Sequence, residues 1–312
     1  MTSLSPPPFS TIGFGDRIAA AVSERKSQLV LGLDPDPMDL WPSDHEPEGD
    51  TPAQRAAGAV LEHCFALIEA VAPSCVAIKP QLARFEALGS AGWKALDTTI
   101  TFAHDLDLLV IADGKRGDID VSARAYAQVL TRGIETPWGP LDGLYADAMT
   151  VNPLMGSDAV GPFVSVAREW GGGVLMLVRT SNPGAADIED LELAGGGHVW
   201  ERIAELADRL GADGVRESGL SDVGAVVGAT VPEHLERARE LMPRAVFLLP
   251  GVGAQGGRVE DLGAAFAPGR AGGLIAASRS IANAHLANGG APGEAARAEA
   301  ERLRELTWGI SG

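Results

Sequence analysis

Short apolar runs alternate with longer stretches of helical periodicity along most of the chain. A run of a few apolar residues that ends in charge, glycine or proline is typical of a buried strand. Apolar residues spaced by three and four positions predict a helix packed against a sheet. The pattern predicts eight strands, at 29–33, 75–78, 108–112, 144–151, 174–179, 223–228, 245–249 and 272–276.

Helical periodicity follows these strands almost without exception. Because each strand is followed by a helix, the sheet should be parallel, and eight such units predict an α/β fold of the closed (β/α)8 TIM barrel type. No linker divides the chain, so residues 11–312 are predicted to form a single domain. The helices are predicted at 14–26, 53–71, 82–106, 119–133, 158–170, 198–211, 232–241, about 259–267 and 291–307.

Two segments fall outside this regular pattern. Residues 1–10 contain three consecutive prolines and are predicted to form a mobile N-terminal arm. Residues 41–52 are acidic and proline-rich, and they are predicted to form a solvated insertion loop. His45 lies in that loop, where a lone histidine among carboxylates is expected to be exposed rather than a metal ligand.

Composition narrows the classes of partner. The net charge of −17 argues against nucleic acid or an anionic membrane surface. No stretch resembles a membrane span or a secretory signal, so the protein is expected in the cytoplasm. Cys64 and Cys75 have no metal-binding spacing, and we expect both to be reduced and buried.

The stretch VIADGKRGDI at residues 110–119 carries the most concentrated charge. It begins as a buried strand and ends with Asp113, Lys115 and Asp118 separated by glycines. Side chains at positions i and i+2 of a strand share a face, so Asp113 and Lys115 should point the same way. A carboxylate beside an ammonium at a strand end is either a surface salt bridge or part of a site.

Position within the predicted barrel favours a site. In such barrels the active site lies at the carboxyl ends of the strands, and polar residues collect there in this chain. Scattered surface charge would not select strand ends so regularly. The strand-end residues are Asp34, Lys79, Asp113, Lys115, Asn152, Arg179, Gln255 and Arg279.

The last two strands are followed by loops suited to phosphate. PGVGAQGG at 250–257 exposes backbone N–H groups, and AASRSI at 276–281 follows the eighth strand. Barrels commonly bind phosphate with these two loops. Arg279 offers two hydrogen-bond donors to phosphate oxygens, and Gln255 offers its amide. Phosphate is therefore the expected anion at this end.

Taken together, these motifs identify a family. The chain resembles orotidine 5′-phosphate decarboxylase in its bacterial type 2 form, in the family's motif order and over nearly the whole barrel. D-x-K-x-x-D alone is shared with sugar-phosphate relatives, whereas its combination with TSNPGA and PGVGAQGG is much more specific. The matching segments are LGLDPDP (31–37), AIKPQ (77–81), DGKRGDI (113–119), TVNP (150–153), RTSNPGA (179–185), VVGAT (226–230), PGVGAQGG (250–257) and SRSI (278–281).

The resemblance implies a reaction and its catalytic residues. Orotidine 5′-monophosphate would be decarboxylated to uridine 5′-monophosphate and CO2, the last step of de novo UMP biosynthesis, without metal or cofactor. Lys115 would protonate the carbanion at C6, and Asp113 would lie beside the substrate carboxylate. Lys79 and Asp118 would complete an alternating Lys–Asp–Lys–Asp array. In the family the carboxylate matching Asp118 enters from a partner subunit, which implies a homodimer.

The resemblance also implies substrate-binding residues. Asp34 and Lys79 would hold ribose hydroxyls, and Ser181 would bind the pyrimidine amide. Gln255 and Arg279 would hold the phosphate. The family often has a threonine where this chain has Ser122, and the retained hydroxyl should preserve a ribose contact.

Three alternatives stay open at the level of sequence. Sugar-phosphate decarboxylases and hexulose-phosphate synthases share D-x-K-x-x-D but use Mg²⁺ and an enediolate. A non-catalytic barrel could bind a pyrimidine nucleotide as a sensor. A purely structural barrel could carry the same charges as strand-end salt bridges. The paired lysines and TSNPGA favour the decarboxylase, and sensitivity to EDTA would favour the Mg²⁺-dependent enzymes.

Overall fold

The computed structural model describes residues 12–229, 232–252 and 256–312. The predicted arm at 1–10 and the predicted phosphate ligand Gln255 lie outside the described residues. The strands are β1 (Leu29–Leu33), β2 (Ala77–Pro80), β3 (Leu109–Arg116), β4 (Gly133–Thr136), β5 (Gly139–Asp142), β6 (Ala148–Val151), β7 (Gly173–Arg179), β8 (Val223–Val227), β9 (Phe247–Leu249) and β10 (Gly273–Ala277).

Among the described residues, eight parallel strands close into a barrel in the order β1-β10-β9-β8-β7-β6-β3-β2, and β4 and β5 form a separate antiparallel hairpin. The predicted (β/α)8 barrel is confirmed. The helices are α1 (Phe14–Arg25), α2 (Pro52–Val71), α3 (Leu82–Glu86), α4 (Gly89–Asp105), α5 (Asp120–Leu130), α6 (Ser157–Arg168), α7 (Val199–Gly211), α8 (Pro232–Leu241), α9 (Arg279–Ala282), α10 (Ala284–Asn288) and α11 (Pro292–Ile310).

Alternation along each strand divides the core into two layers. Leu29, Leu31 and Leu33 of β1 point outward into the layer between the barrel and its helices. Val30 points inward, into a second cluster with Ile111 and other inward residues. A strand buried on both faces needs apolar residues at every position, which is why these strands appear as continuous apolar runs.

Helix α1 closes the amino-terminal end of the barrel. Its residues Phe14, Ile18 and Val22 belong to the inner cluster. Gly173 at the start of β7 makes room for it, since a Cβ there would lie 2.4 Å from the Phe14 ring. In the described part of the chain, α1 fills this end, which leaves the carboxyl end of the barrel for a ligand.

Several predicted boundaries differ from the structure. The strand at 29–33 is confirmed, whereas the strand predicted at 108–112 extends to Arg116 as β3. The predicted helix at about 259–267 is wrong, because Gly263 and Pro268 leave only 3-10 turns at Val259–Asp261 and Gly263–Phe266. The segment 119–133 is helical only to Leu130, and the hairpin β4–β5 that follows was not predicted.

Helix α2 is more apolar than its sequence pattern suggested. The segment Pro52–Ser74 is long and apolar enough to cross a membrane, with a mean hydropathy of 1.4, but half of that window is buried inside the fold. The helix packs against α4 and α11. Packing in the helical layer around the barrel therefore explains why the helix is so apolar.

The two cysteines are buried free thiols, as predicted. Burial raises the pKa of Cys64 and of Cys75 to about 12, so both stay protonated at neutral pH. The acidic stretch 41–52 precedes α2, and its residue Thr51 caps that helix by accepting a hydrogen bond from the backbone N–H of Gln54. No residue of this described stretch lines the main cavity at the strand ends.

Candidate active site

The carboxyl end of the barrel opens into a cavity of about 580 Å³. Strand-end residues form its polar wall, and side chains from β7, β8, β9 and α7 form an apolar wall. The polar wall includes Asp34, Lys79, Gln81, Asp113, Lys115, Thr150, Asn152, Ser181 and Arg279, and the apolar wall includes Leu177, Val199, Ile203, Val226 and Leu248. The cavity lies at the end of the barrel where the site was predicted.

Asp113 lies between two lysines at the base of this cavity. One carboxylate oxygen, Oδ2, accepts a hydrogen bond from Lys79 Nζ at 2.6 Å, and the other, Oδ1, accepts one from Lys115 Nζ at 2.6 Å. Asp113 is 4% exposed and Lys79 is 8% exposed. The Lys115 side chain is 44% exposed. We call Lys79, Asp113 and Lys115 the charged centre.

Thr150 of β6 forms hydrogen bonds to two residues of the charged centre. This threonine is not among the site residues predicted from the sequence. Its Oγ1 donates to Asp113 Oδ1 at 2.8 Å and accepts the backbone N–H of Lys115 at 2.9 Å. The signal was present, because Thr150 lies two positions before Asn152 and therefore on the same face of the strand. A hydroxyl at this position fixes both the carboxylate and the backbone of Lys115.

The backbone of β3 departs from a regular strand at the charged centre. Lys115 has a φ of 46°, in the left-handed region, and the pairing of β3 with β6 shifts register between Ala112 and Arg116. A lysine in this conformation carries strain of about 1 kcal/mol or more. The hydrogen bonds from its backbone to Thr150 and from its ammonium to Asp113 hold it there. The predicted contact between Asp113 and Lys115 is confirmed. It forms across an irregularity in β3 rather than along a regular strand.

The charges of the centre keep Asp113 ionised. Burial alone opposes ionisation, but the neighbouring Lys79 and Lys115 outweigh it and lower the pKa of Asp113 from 3.8 to about 2. Both carboxylate oxygens are engaged by ammonium groups. Asp113 is therefore a fixed negative charge at neutral pH rather than a proton donor.

Arg279 lines the same cavity, at the start of α9. Within the described ranges it forms no ion pair with a carboxylate, so its guanidinium is available to an anion. Pro250, Gly251 and Val252 of the glycine-rich loop line the cavity near it. A guanidinium and part of the glycine-rich loop thus line one cavity, as the phosphate prediction requires.

Ser181 lies at the cavity rim after β7. It packs closely against the end of β8, where a Cβ on Gly228 would lie 2.9 Å from Ser181 Cα. Gly228 N donates to Arg179 O at 2.7 Å, which ties the two strand ends together. Only glycine at position 228 allows the serine this close approach.

Three of the predicted residues lie outside the cavity of this chain. Asp118 lies beyond the end of β3, where its Oδ1 accepts the backbone N–H of Ile119 at 2.8 Å. Ser122 is exposed on α5. Arg179 was expected among the strand-end residues of the site, but its side chain turns away and pairs with Asp190. The pairing of β7 with β8 shifts register immediately before Arg179. The arginine side chain therefore does not keep the cavity-facing direction that regular alternation along the strand would give it.

Metal-binding geometry is not found in the described part of the chain. No group of three or more His, Cys, Asp or Glu side chains there is arranged to hold a metal ion. The expectation that the reaction needs no metal stays a prediction.

The chain is similar to known proteins in both sequence and fold. The family model described as "Orotidine 5'-phosphate decarboxylase / HUMPS family" matches residues 27–297. A protein named orotidine 5'-phosphate decarboxylase from Deinococcus radiodurans is 41% identical over 292 residues, which cover 93% of this chain and 96% of that protein. One with the same name from Rhodopirellula baltica is 39% identical over 279 residues, covering 87% and 89%.

A solved structure agrees with these matches. The structure of Leishmania donovani OMP decarboxylase superposes with a TM-score of 0.72 at 31% identity, covering 96% of this chain and 99% of that one. The matches therefore cover most of the barrel in sequence and in fold.

Proposed function

Because the chain belongs to the orotidine 5′-phosphate decarboxylase family and decarboxylates orotidine 5′-monophosphate to uridine 5′-monophosphate, we propose that the charged centre carries out the chemical step. The observation that carries this proposal is the placement of Lys79, Asp113 and Lys115 at the base of the cavity, with ammonium–carboxylate distances of 2.6 Å. Whether the chain belongs to the type 2 bacterial subfamily stays a prediction.

Decarboxylation at C6 leaves an electron pair in an sp² orbital that the ring cannot delocalise. The site must therefore stabilise the carbanion by charge that is already in place. Lys115 would supply a cation near the developing carbanion and then donate its proton to C6. Its partly exposed ammonium, held by Asp113 at one side, is free to reach toward a ligand in the cavity.

Asp113 would serve two purposes in this mechanism. It would lie beside the substrate carboxylate, where like charges raise the energy of the ground state relative to the carbanion. It also keeps the two ammonium groups close together in a buried place, since removing the charge between them would leave them repelling each other. With Lys79 on the other carboxylate oxygen, the charged centre carries one net positive charge, and Lys79 would also bind the ribose.

The substrate would span the cavity from the charged centre to Arg279. Asp34 and Lys79 would bind ribose hydroxyls, Ser181 the pyrimidine amide, and Arg279 the phosphate. Gln255, outside the described residues, would add an amide donor to the phosphate. Six of these predicted residues line one cavity, which supports this orientation: Asp34, Lys79, Asp113, Lys115, Ser181 and Arg279.

The geometry also argues against the Mg²⁺-dependent alternative. Those enzymes need carboxylate oxygens free to bind the metal, but both oxygens of Asp113 accept hydrogen bonds from lysines. The test is turnover of orotidine 5′-monophosphate, followed by the loss of its ultraviolet absorbance, in the presence of EDTA. Undiminished turnover supports cofactor-free chemistry, and loss of activity restored by Mg²⁺ would refute it.

Replacing Arg279 by alanine should lower kcat/KM by about 10²-fold to 10³-fold, because a bidentate charged contact with the phosphate is lost. Inhibition by inorganic phosphate should weaken in parallel. Arg258→Ala is the matched control, since Arg258 is an exposed arginine that pairs with Glu260. An unchanged kcat/KM in the Arg279 variant would refute the phosphate assignment.

We also propose that the active enzyme is a homodimer in which Asp118 reaches the partner's cavity. Asp118 and Ser122 lie outside the cavity of their own chain, so they are free to complete another. The surface around them is unusually apolar for an exposed face. Its exposed apolar residues include Ile119, Val121, Tyr126, Val129, Leu154 and Met155.

A mixed dimer tests this arrangement. Lys115→Ala and Asp118→Ala chains, co-expressed with different tags and purified through both, should form dimers with one intact site and one doubly defective site. Their activity should reach about half of the wild-type value per dimer, far above either variant alone. Activity no higher than that of the separate variants, in a dimer of confirmed composition, would contradict a shared site.

The net charge of the chain bears on its partners and its location in the cell. The net charge of −17 disfavours nucleic acid and anionic membranes, and we infer a cytoplasmic enzyme that acts on a small nucleotide. Fractionation of cells that express the full chain would test this, and recovery in the membrane fraction would contradict it.

A further inference from the structure

Arg179 is the strand-end residue whose direction could not be foreseen from the sequence. Its side chain is only 12% exposed and extends from the end of β7 toward the loop that follows. Nε and Nη2 donate to the two carboxylate oxygens of Asp190 at 2.7 and 2.8 Å, and Nη1 donates to the backbone oxygen of Thr180. A bidentate pair of this kind fixes orientation as well as distance.

Glu189 makes a second connection beside the first. Its Oε2 accepts the backbone N–H of Thr180 at 2.8 Å, and its Oε1 accepts the Thr180 hydroxyl at 2.9 Å. The two ends of the loop, at 179–180 and at 189–190, are therefore joined by an ion pair and two hydrogen bonds. We call Arg179, Glu189 and Asp190 the clasp, and residues 181–188 the clasped loop.

The clasped loop forms one side of the substrate cavity. The loop is compact, with adjoining ends and a 3-10 turn of its own, so contacts at its base set how it is placed as a unit on the barrel. The residues that it contributes to the cavity wall are Ser181, Asn182, Gly184, Ala185 and Ile188. Any change at the base should move all of them together, including the serine assigned to the pyrimidine.

The clasp also connects this loop to α7. The backbone oxygen of Glu189 accepts the N–H of Trp200 at 2.9 Å, and the oxygen of Leu191 accepts the N–H of Val199 at 3.1 Å. Val199 and Ile203 form part of the apolar cavity wall. Backbone hydrogen bonds therefore join the end of the clasped loop to the helix that carries this part of the wall.

We propose that Arg179 is a positioning residue whose pairing with Asp190 holds Ser181 and the clasped loop at the distance needed to bind the pyrimidine ring. The inference deepens the proposed function and rests on its assignment of Ser181 to the pyrimidine amide. Glu189 itself lines the cavity, but among the described residues neither Arg179 nor Asp190 forms a hydrogen bond or ion pair with the charged centre or with Arg279. Its loss should weaken binding of the base and leave the phosphate end unaffected.

The test uses Asp190→Asn, which keeps the shape of the side chain and removes its charge. The KM for orotidine 5′-monophosphate and the inhibition constant of UMP should rise about 10-fold to 100-fold, while the inhibition constant of inorganic phosphate stays within about twofold. Arg179→Lys, which keeps the charge without the bidentate geometry, should give a smaller rise. The control is Glu205→Gln, which removes a solvent-exposed pair with Arg202 on α7 and should change none of these constants.

A double-mutant cycle with Ser181→Ala separates positioning from general destabilisation. If the clasp acts by holding Ser181, the serine substitution should have much less effect in the Asp190→Asn background than in the wild type. Full additivity, or an unchanged UMP inhibition constant in folded Asp190→Asn protein, would overturn the proposal. If Ser181→Ala alone had no effect, the assignment of Ser181 would fail, and the UMP inhibition constant of Asp190→Asn would then decide the clasp by itself.

Discussion

Replacing Lys115 by alanine should lower kcat for orotidine 5′-monophosphate by about 10⁴-fold or more. Removing one electrostatic donor from an active site typically lowers kcat about 10²-fold to 10³-fold, and a positioned general acid contributes about 10²-fold to 10⁴-fold. Lys115 would act in both ways, as the cation next to the carbanion and as the source of its proton. The effect should therefore exceed what either function accounts for alone.

The measurement is the loss of substrate absorbance, in the presence of EDTA, with enough variant enzyme to detect slow turnover. Affinity for UMP should change far less than kcat, because Lys115 is expected to act mainly on the carbanion. Lys94→Ala is the control, since Lys94 is an exposed lysine paired with Asp97 on α4. A loss of less than about tenfold in folded Lys115→Ala enzyme would exclude Lys115 as the proton donor.

The second large effect is expected from Asp113→Asn. This change keeps the shape of the side chain but removes the negative charge between two ammonium groups, so Lys79 is left buried without its partner. Breaking a buried pair in this way typically lowers the free energy of unfolding by about 3–5 kcal/mol. We expect kcat to fall about 10³-fold as well, because the position of Lys115 depends on the same carboxylate.

The stability loss should depend on pH in a defined direction. Asp113 has a pKa of about 2 in the folded protein against an ordinary value of 3.8. Its ionised form therefore contributes stability that is fully present above pH 3.8 and is lost as the pH falls through 2. This contribution amounts to about 2 kcal/mol, because a pKa difference of one between the folded and unfolded states corresponds to about 1.36 kcal/mol. The stability gap between wild type and Asp113→Asn should narrow by about that amount between pH 4 and pH 2.

Denaturant unfolding at several pH values measures this gap. Asp97→Asn, which removes the exposed partner of Lys94, serves as the control and should show almost no gap at any pH. A gap for Asp113→Asn that stays constant down to pH 2 would mean that the carboxylate is not stabilised by the two lysines.

The strands of the barrel were largely predictable because their pattern is local. The predicted strand at 29–33 matches the observed Leu29–Leu33, since a strand buried on both faces has an uninterrupted apolar run. The helix predicted at about 259–267 was wrong, because apolar spacing there did not outweigh Gly263 and Pro268. The hairpin Gly133–Thr136 and Gly139–Asp142 was missed because its strands are short and mostly exposed.

The site was predictable in its residue types and only partly in its geometry. Asp113 and Lys115 are neighbours in sequence, so their contact followed from the spacing of a strand. Thr150 and Asp113 lie 37 positions apart, and their hydrogen bond exists only because β3 and β6 are adjacent in the closed barrel. No local pattern contains that information.

The sequence by itself determined the order of strands and helices, the polar residues at the strand ends, and the family to which the chain belongs. The tertiary structure alone decided which of those polar residues face the cavity. Lys79 turns inward to Asp113, whereas Arg179 turns outward to Asp190 and closes a loop. The physical reason is that a charged side chain near the protein interior points to whichever opposite charge the fold places within reach, and that partner is fixed only when distant segments have packed together.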